Sequence, residues 1–92
     1  SDALGRDLIG QLMSQGEVDG HALAARHGVD FESYFSDALI ALQALQHDGL
    51  AEYADGVVRA TEQGRPLLRL LAMCFDRYLG KVESPARYSR AI

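Results

Sequence analysis

Apolar residues recur at helical spacing in several stretches of the chain and alternate in short runs between them. Leu4, Leu8 and Leu12 form one stripe, with Ile9 and Met13 alongside, and predict a helix over about 3–14. Gly16 follows, and glycine readily takes the left-handed backbone angles on which helices end. Glu17 and Val18 read as a short extended piece. Asp19 stands where an N-cap is needed for a brief helix over 21–27, closed by Gly28. Asp30 caps the next helix, and Val29 and Tyr34 occupy the positions of a hydrophobic staple. Phe31, Phe35, Ala38, Leu39, Leu42 and Leu45 give that helix a broad apolar face. Gly49 stops it, and Leu50 is placed to fold back as the apolar partner of a Schellman end. Two short strands, 50–53 and 57–60, flank Ala54-Asp55-Gly56. Asp-Gly tolerates the positive φ of a tight primed turn, so these strands predict a hairpin. Thr61 caps a last helix reaching about residue 80. Leu67, Leu71, Cys74 and Tyr78 share one of its faces, with Leu68, Phe75 and Leu79 beside it. Pro66 has no amide hydrogen, so this helix has a distorted first turn or begins nearer Gly64. Residues 81–92 contain Ser84-Pro85 and little periodicity, and are expected to be extended or loosely helical.

The order helix, short strand, helix, helix, two-stranded wing, helix is that of a winged helix. The expected fold is mainly α, with about four helices and a two- or three-stranded β wing. Residues 1–80 form the domain and 81–92 a basic tail. The length of 92 residues allows one small core, and a complete enzyme is not expected of it. Hydrophobic residues at 48% and charged residues at 24% exclude a disordered or fibrous chain. No apolar run approaches the length of a membrane span, and no charged-then-apolar leader is present, so a cytoplasmic location is expected. One cysteine makes no internal disulfide, and Cys74 with three scattered histidines makes no zinc set.

Charge is divided unevenly. Residues 1–58 carry two basic groups and ten acids, 2 − 10 = −8; residues 59–92 carry seven basic groups and three acids, 7 − 3 = +4. Either the two halves neutralise each other across one fold, or the basic end meets something anionic. Winged helices often bind DNA through the third helix. Here that helix carries Glu32, Asp37 and Asp48 and no Lys or Arg, so phosphates would repel it and counterion release would contribute nothing. Cys74 lies on the apolar stripe and reads as a buried structural thiol. His21 and His27, six apart, fall on different helix faces and do not chelate together. His47 beside Asp48 reads as a solvated charge pair at a helix end. The basic groups near the C-terminus have a pattern. Arg65 and Arg69 are four apart, as are Arg77 and Lys81, and Arg87 and Arg90 bracket Tyr88-Ser89. Guanidinium forks suit carboxylates, so these clusters fit a polycarboxylate ligand or an acidic face of another domain, against the plainer reading of a solvated flank.

From Arg6 to Ile92 these residues resemble the C-terminal domain of the oxygen-independent coproporphyrinogen III oxidases. The matching stretches are Arg6-Asp7-Leu8-Ile9 with Leu12-Met13, Asp30-Phe31 with Tyr34-Phe35, and Asp48-Gly49-Leu50. Thr61-x-x-Gly64-Arg65 with Leu67 and Arg69 comes next, then Met73-Cys74-Phe75-Asp76 with Tyr78-Leu79, and last Tyr88-Ser89-Arg90-x-Ile92. The last two are the specific ones; the related haem chaperones share the domain but not that ending. Ser14 and Glu17 stand where the family carries a cysteine and a basic residue, and Pro66 where a leucine-like residue is usual. The resemblance implies a radical S-adenosylmethionine enzyme of haem biosynthesis, which converts two propionates of coproporphyrinogen III to vinyl groups and gives protoporphyrinogen IX. It also implies a 4Fe-4S cluster held by a Cys-x3-Cys-x2-Cys loop on a separate catalytic barrel. This chain has no such loop. What the resemblance implies for it is an accessory domain covering the barrel, with no cofactor, no catalytic residue and no metal of its own.

On that reading Arg77, Tyr78, Lys81, Arg87, Tyr88 and Arg90 are the candidate contacts to substrate or barrel. The partners are the barrel and coproporphyrinogen III at the domain boundary, with no nucleic acid and no membrane. An exposed apolar docking patch is expected around Phe75, Tyr78, Leu79 and Tyr88. The alternatives are a free-standing winged-helix interaction module and a DNA-binding regulator.

Overall fold

Each helix begins and ends where the sequence supplies a local partner for its free backbone groups. The computed structural model describes the backbone of residues 3–83 and the side chains of residues 3–76. Helix α1 spans Ala3–Gln15 and ends on Gly16, whose φ is +79° and whose amide donates to the Leu12 carbonyl at 2.8 Å. Strand β1, Glu17–Asp19, leads into α2, Gly20–Arg26. The Asp19 carboxylate caps α2 by accepting from the Ala22 amide at 3.1 Å. Asp30 caps α3, Phe31–Tyr34, in the same way through the Ser33 amide at 3.0 Å. Val29 and Tyr34, the staple positions, line one shallow recess with Ala3, Leu4 and His27.

The third helix differs from its expected continuous form. It breaks at Phe35, where ψ turns to +28°, and resumes as α4, Ser36–His47. Phe31 and Phe35, four residues apart, both turn inward and are buried. Their rings lie 5.4 Å apart, and Phe35 meets Phe75 edge-on at 5.4 Å. The end of α4 is a Schellman motif: the Leu50 amide donates to Leu45 and the Gly49 amide to Gln46, with Gly49 at φ +78°.

Strands β2, Ala51–Ala54, and β3, Val57–Ala60, are joined by Asp55-Gly56, both at positive φ as a type I′ turn requires. Strand β1 pairs with β3, so the sheet is three-stranded and antiparallel in the order β1-β3-β2. The register sets its two faces. Val18, Val58 and Tyr53 align on the core side, while Glu17, Arg59 and Glu52 align on the outer side. Helices α1, α2, α3 and α4 close the core against the inner face, with Leu8, Leu12, Leu23, Phe31, Leu42, Val58, Leu71 and Phe75 almost fully buried.

Between the wing and the last helix lies a tight junction. The Thr61 amide donates to the Leu50 carbonyl, its hydroxyl donates to Gly49 at 2.6 Å, and its Oγ1 accepts from the Gly64 amide at 3.1 Å. Thr61 therefore caps as expected, but the chain then enters a turn and a 3-10 segment, Arg65–Leu67, with Pro66 at its start. Helix α5 begins only at Leu68 and runs to Glu83, three residues into the segment set apart as the tail. This shift changes the predicted apolar face. Residues in a 3-10 turn advance about 120° rather than 100° each, so Leu67 leaves the stripe and is 42% exposed, while Leu71, Cys74 and Phe75 pack inward. Phe75 is fully buried and so is not part of an exposed patch; Tyr78, Leu79 and Tyr88 lie outside the residues whose side chains are described.

Gly64 has no room for a side chain, because a Cβ there would overlap the Leu50 carbonyl oxygen. Gly64→Ala should cost roughly 3 kcal/mol by forced displacement of backbone. Gly10 lies inside α1 with open space around it. Gly10→Ala should stabilise by about 0.5–1 kcal/mol through helix propensity alone. Thermal unfolding of the two variants checks both; equal midpoints would contradict the tight junction.

Candidate functional site

The residues predicted to carry function sit at the C-terminal end. Arg77, Tyr78 and Lys81 fall within α5, but their side chains lie outside those described, as do Arg87, Tyr88 and Arg90 altogether. The described surface instead brings together a polar cluster that the sequence does not announce. His21 in the first turn of α2, Glu32 in the first turn of α3 and Tyr53 on β2 meet on one carboxylate oxygen. The Tyr53 hydroxyl donates to Glu32 Oε2 at 2.6 Å, and His21 Nε2 lies 2.6 Å from the same atom. The residues are 11 and 21 apart in sequence, and no local period links them.

The backbone holds this clasp in place. The Gly20 amide donates to the Gly56 carbonyl at 2.7 Å, so the wing turn is bonded to the start of α2. The His21 ring packs on Gly56, where a side chain would overlap it, and stands edge-on to Phe31 at 6.0 Å. Both ionisable partners remain about half exposed. The hydrogen bond to Glu32 raises the His21 pKa above its ordinary 6.5, against a smaller opposing effect of desolvation. Hydrogen bonds from Tyr53 and then His21 lower the Glu32 carboxyl below 4.5. Burial first, and the hydrogen bond to Glu32 second, push the Tyr53 phenol up. Chemically the cluster is a self-satisfied surface clasp that ties wing to helices.

The remaining described charges are arranged in the same structural sense. Arg59 pairs with Glu52 across β3 and β2 at 2.5 Å, and His27 lies 3.4 Å from Asp7. The guanidinium of Arg65 lies over Gly16, at the negative end of the α1 dipole. Cys74 is buried, and its thiol donates to the Leu70 carbonyl at 3.6 Å. Among the described residues no group of three or more His, Cys, Asp or Glu is placed to hold a metal ion. The one cysteine of the chain does not fit the three-thiolate requirement of a radical enzyme's cluster. No described helix is long and apolar enough to cross a membrane.

These features define a small winged domain, mainly helical, whose His21–Glu32–Tyr53 cluster ties its own elements together. Comparison with known proteins identifies its family. Residues 2–67 match the family model of the HemN C-terminal domain, and the chain belongs to that family. It is 34% identical over 91 residues to the oxygen-independent coproporphyrinogen III oxidase of Salmonella typhimurium, covering 99% of this chain and 20% of that protein. Identity is 37% to the enzyme of the same name from Thermostichus vulcanus, covering 28% of it, and 32% to that of Escherichia coli, covering 20%. The solved structure of the Escherichia coli coproporphyrinogen III oxidase, a radical SAM enzyme, superposes on 84% of this chain with a TM-score of 0.79 and 32% identity, using 18% of its own length. The chain thus spans about a fifth of the Salmonella and Escherichia relatives.

The motifs that carry the resemblance now have physical meanings. Asp30-Phe31 with Phe35 are a cap and two core rings. Asp48-Gly49-Leu50 is the Schellman end, and Thr61-x-x-Gly64 is the tight junction. Cys74 and Phe75 are core, whereas Met73 points outward.

The clasp has a defined pH window. A raised His21 pKa stabilises the fold below 6.5 and that contribution is lost as pH rises through the folded value. A lowered Glu32 pKa stabilises above 4.5 and is lost as pH falls through its folded value. Both operate fully between 4.5 and 6.5. In an NMR titration His21 should ionise above 6.5, and Glu32→Gln should return it toward that value. An unchanged His21 titration in the variant would show that the carboxylate is not its partner in solution.

Proposed function

We propose that this chain is the C-terminal accessory domain of an oxygen-independent coproporphyrinogen III oxidase, a cytoplasmic radical S-adenosylmethionine enzyme of haem biosynthesis. The observation that carries the reading is the match of nearly the whole chain, at 34% identity, to a fifth of an oxidase of that name. The enzyme converts two propionates of coproporphyrinogen III to vinyl groups by oxidative decarboxylation, giving protoporphyrinogen IX. The 4Fe-4S cluster and S-adenosylmethionine belong to a catalytic barrel outside these residues, and this domain closes the cavity over the substrate. Closure excludes water and oxygen from a radical intermediate.

Residues 1–80 form the winged body and 81–92 the basic tail that reaches the domain boundary. Coproporphyrinogen III carries four carboxylates around a large apolar ring, so its enzyme needs cations on several sides. Arg77, Lys81, Arg87 and Arg90 supply charge at the boundary, and Tyr78 and Tyr88 add hydroxyl donors and ring contact. The acidic surface of α3 and α4, with Glu32, Asp37 and Asp48, gives no support to a DNA-binding reading.

In the full-length enzyme Arg87→Ala and Arg90→Ala should each raise KM by roughly 10-fold, the loss of one charged hydrogen bond. Thermal stability should hardly change. Unchanged kinetics with faster hydrogen exchange at the boundary would make these residues barrel contacts and remove them from the substrate site. Anaerobic reconstitution of the 92-residue chain with iron and sulfide should give no charge-transfer absorption, and a stoichiometric cluster would overturn the accessory role.

A further inference from the structure

We propose that the outward side of α5 and its 3-10 entry, formed by Leu67, Leu70 and Met73, is the surface by which this domain docks onto the larger part of the oxidase polypeptide. The proposal rests on the reading of the chain as a C-terminal domain of such an enzyme. The three side chains are 42%, 42% and 49% exposed, and they succeed one another at intervals of three residues. Inward positions of the same helix are filled by Leu71, Cys74 and Phe75. Met73 stands two residues before Phe75, close to the opposite side of the helix from the core. The side chains of Leu70 and Met73 are not part of the buried core, and a surface helix ordinarily carries polar residues there. Val29 and Tyr34, which are also exposed, share a recess at the other end of the fold and are not part of this row.

The charges beside the row point to the chemistry of its partner. Arg69 is exposed and makes no ion pair among the described residues, whereas the guanidinium of Arg65 lies over the end of α1. Asp76 is exposed one turn further on. An apolar strip with the Arg69 guanidinium beside it fits an apolar patch that carries a carboxylate at its rim.

Size favours a tethered partner over a free one. A stable interface between separate proteins buries about 800 Å² per partner. Three side chains, each less than half exposed, fall well short of that, so the row does not by itself hold a second copy or a soluble partner. A segment of the same polypeptide acts at an effective concentration in the millimolar range, and a small apolar contact then suffices. This domain accounts for one-fifth of the length of such a relative, so four-fifths of that polypeptide lies outside it and is available to dock.

Hydroxyl-radical footprinting of the full-length enzyme tests this directly, because Met73 and Met13 are the two methionines of the domain and are similarly exposed in its own fold. The reference is the same enzyme unfolded in guanidinium. Met73 should be oxidised more slowly in the native enzyme by roughly tenfold or more, as for a side chain that has become buried. If Met73 stays within a few-fold of the unfolded rate while Met13 or Ile40 is protected, the domain docks through another face and the row is not the interface. If none of the three is protected beyond the partial shielding of the domain's own fold, the row is overturned and the accessory-domain reading loses its support as well.

Discussion

The close approach of Gly64 to the Leu50 carbonyl fixes where the last helix can start. Thr61 bonds to Gly49, Leu50 and Gly64 at once, so the end of α4, the exit of the wing and the entry to α5 converge on a few backbone groups. With that junction set, Leu71 and Phe75 enter the core, and Phe75 meets Phe35. Phe31 and Phe35, four residues apart, face inward together, and the chain breaks at Phe35 between α3 and α4. A side chain at residue 64 would displace the helix that completes the core.

The charge asymmetry of the chain is partly consumed by the fold. Arg59 lies between Glu17 and Glu52 in the sheet register, and Arg65 lies over the end of α1, so two of the seven basic groups of residues 59–92 act within the domain. Arg69 has no such role among the described residues. The acidic front is likewise structural in part. Asp19 and Asp30 are caps, and Glu32 is the acceptor of the clasp. This use of charge matches the family membership better than a nucleic-acid surface does.

Helix ends are legible in the sequence because their signals are local. Asp19, Asp30, Gly16, Gly28 and Gly49 each act within a few residues of their own position, and each does what its type predicts. The hairpin is legible for the same reason, in Asp55-Gly56. The break at Phe35 is not, since no glycine or proline marks it. A constant helical period puts Leu67 on the core face, but Pro66 changes the phase there and the side chain turns outward. The His21–Glu32–Tyr53 clasp is invisible in the sequence because contacts between distant residues leave no periodic trace. Of the candidate contact residues, Arg77, Tyr78 and Lys81 lie along the last helix, which the fold extends past them. The roles proposed for them rest on the resemblance and on charge chemistry.

The central claim is that this domain contributes closure and contacts, and no cofactor chemistry. The most direct measurement compares the full-length oxidase with a version lacking residues 1–92, assaying reductive cleavage of S-adenosylmethionine and decarboxylation of coproporphyrinogen III side by side. The account predicts that the shortened enzyme keeps its cluster absorption and still cleaves S-adenosylmethionine, while decarboxylation is lost. Decarboxylation at the full-length rate would contradict it.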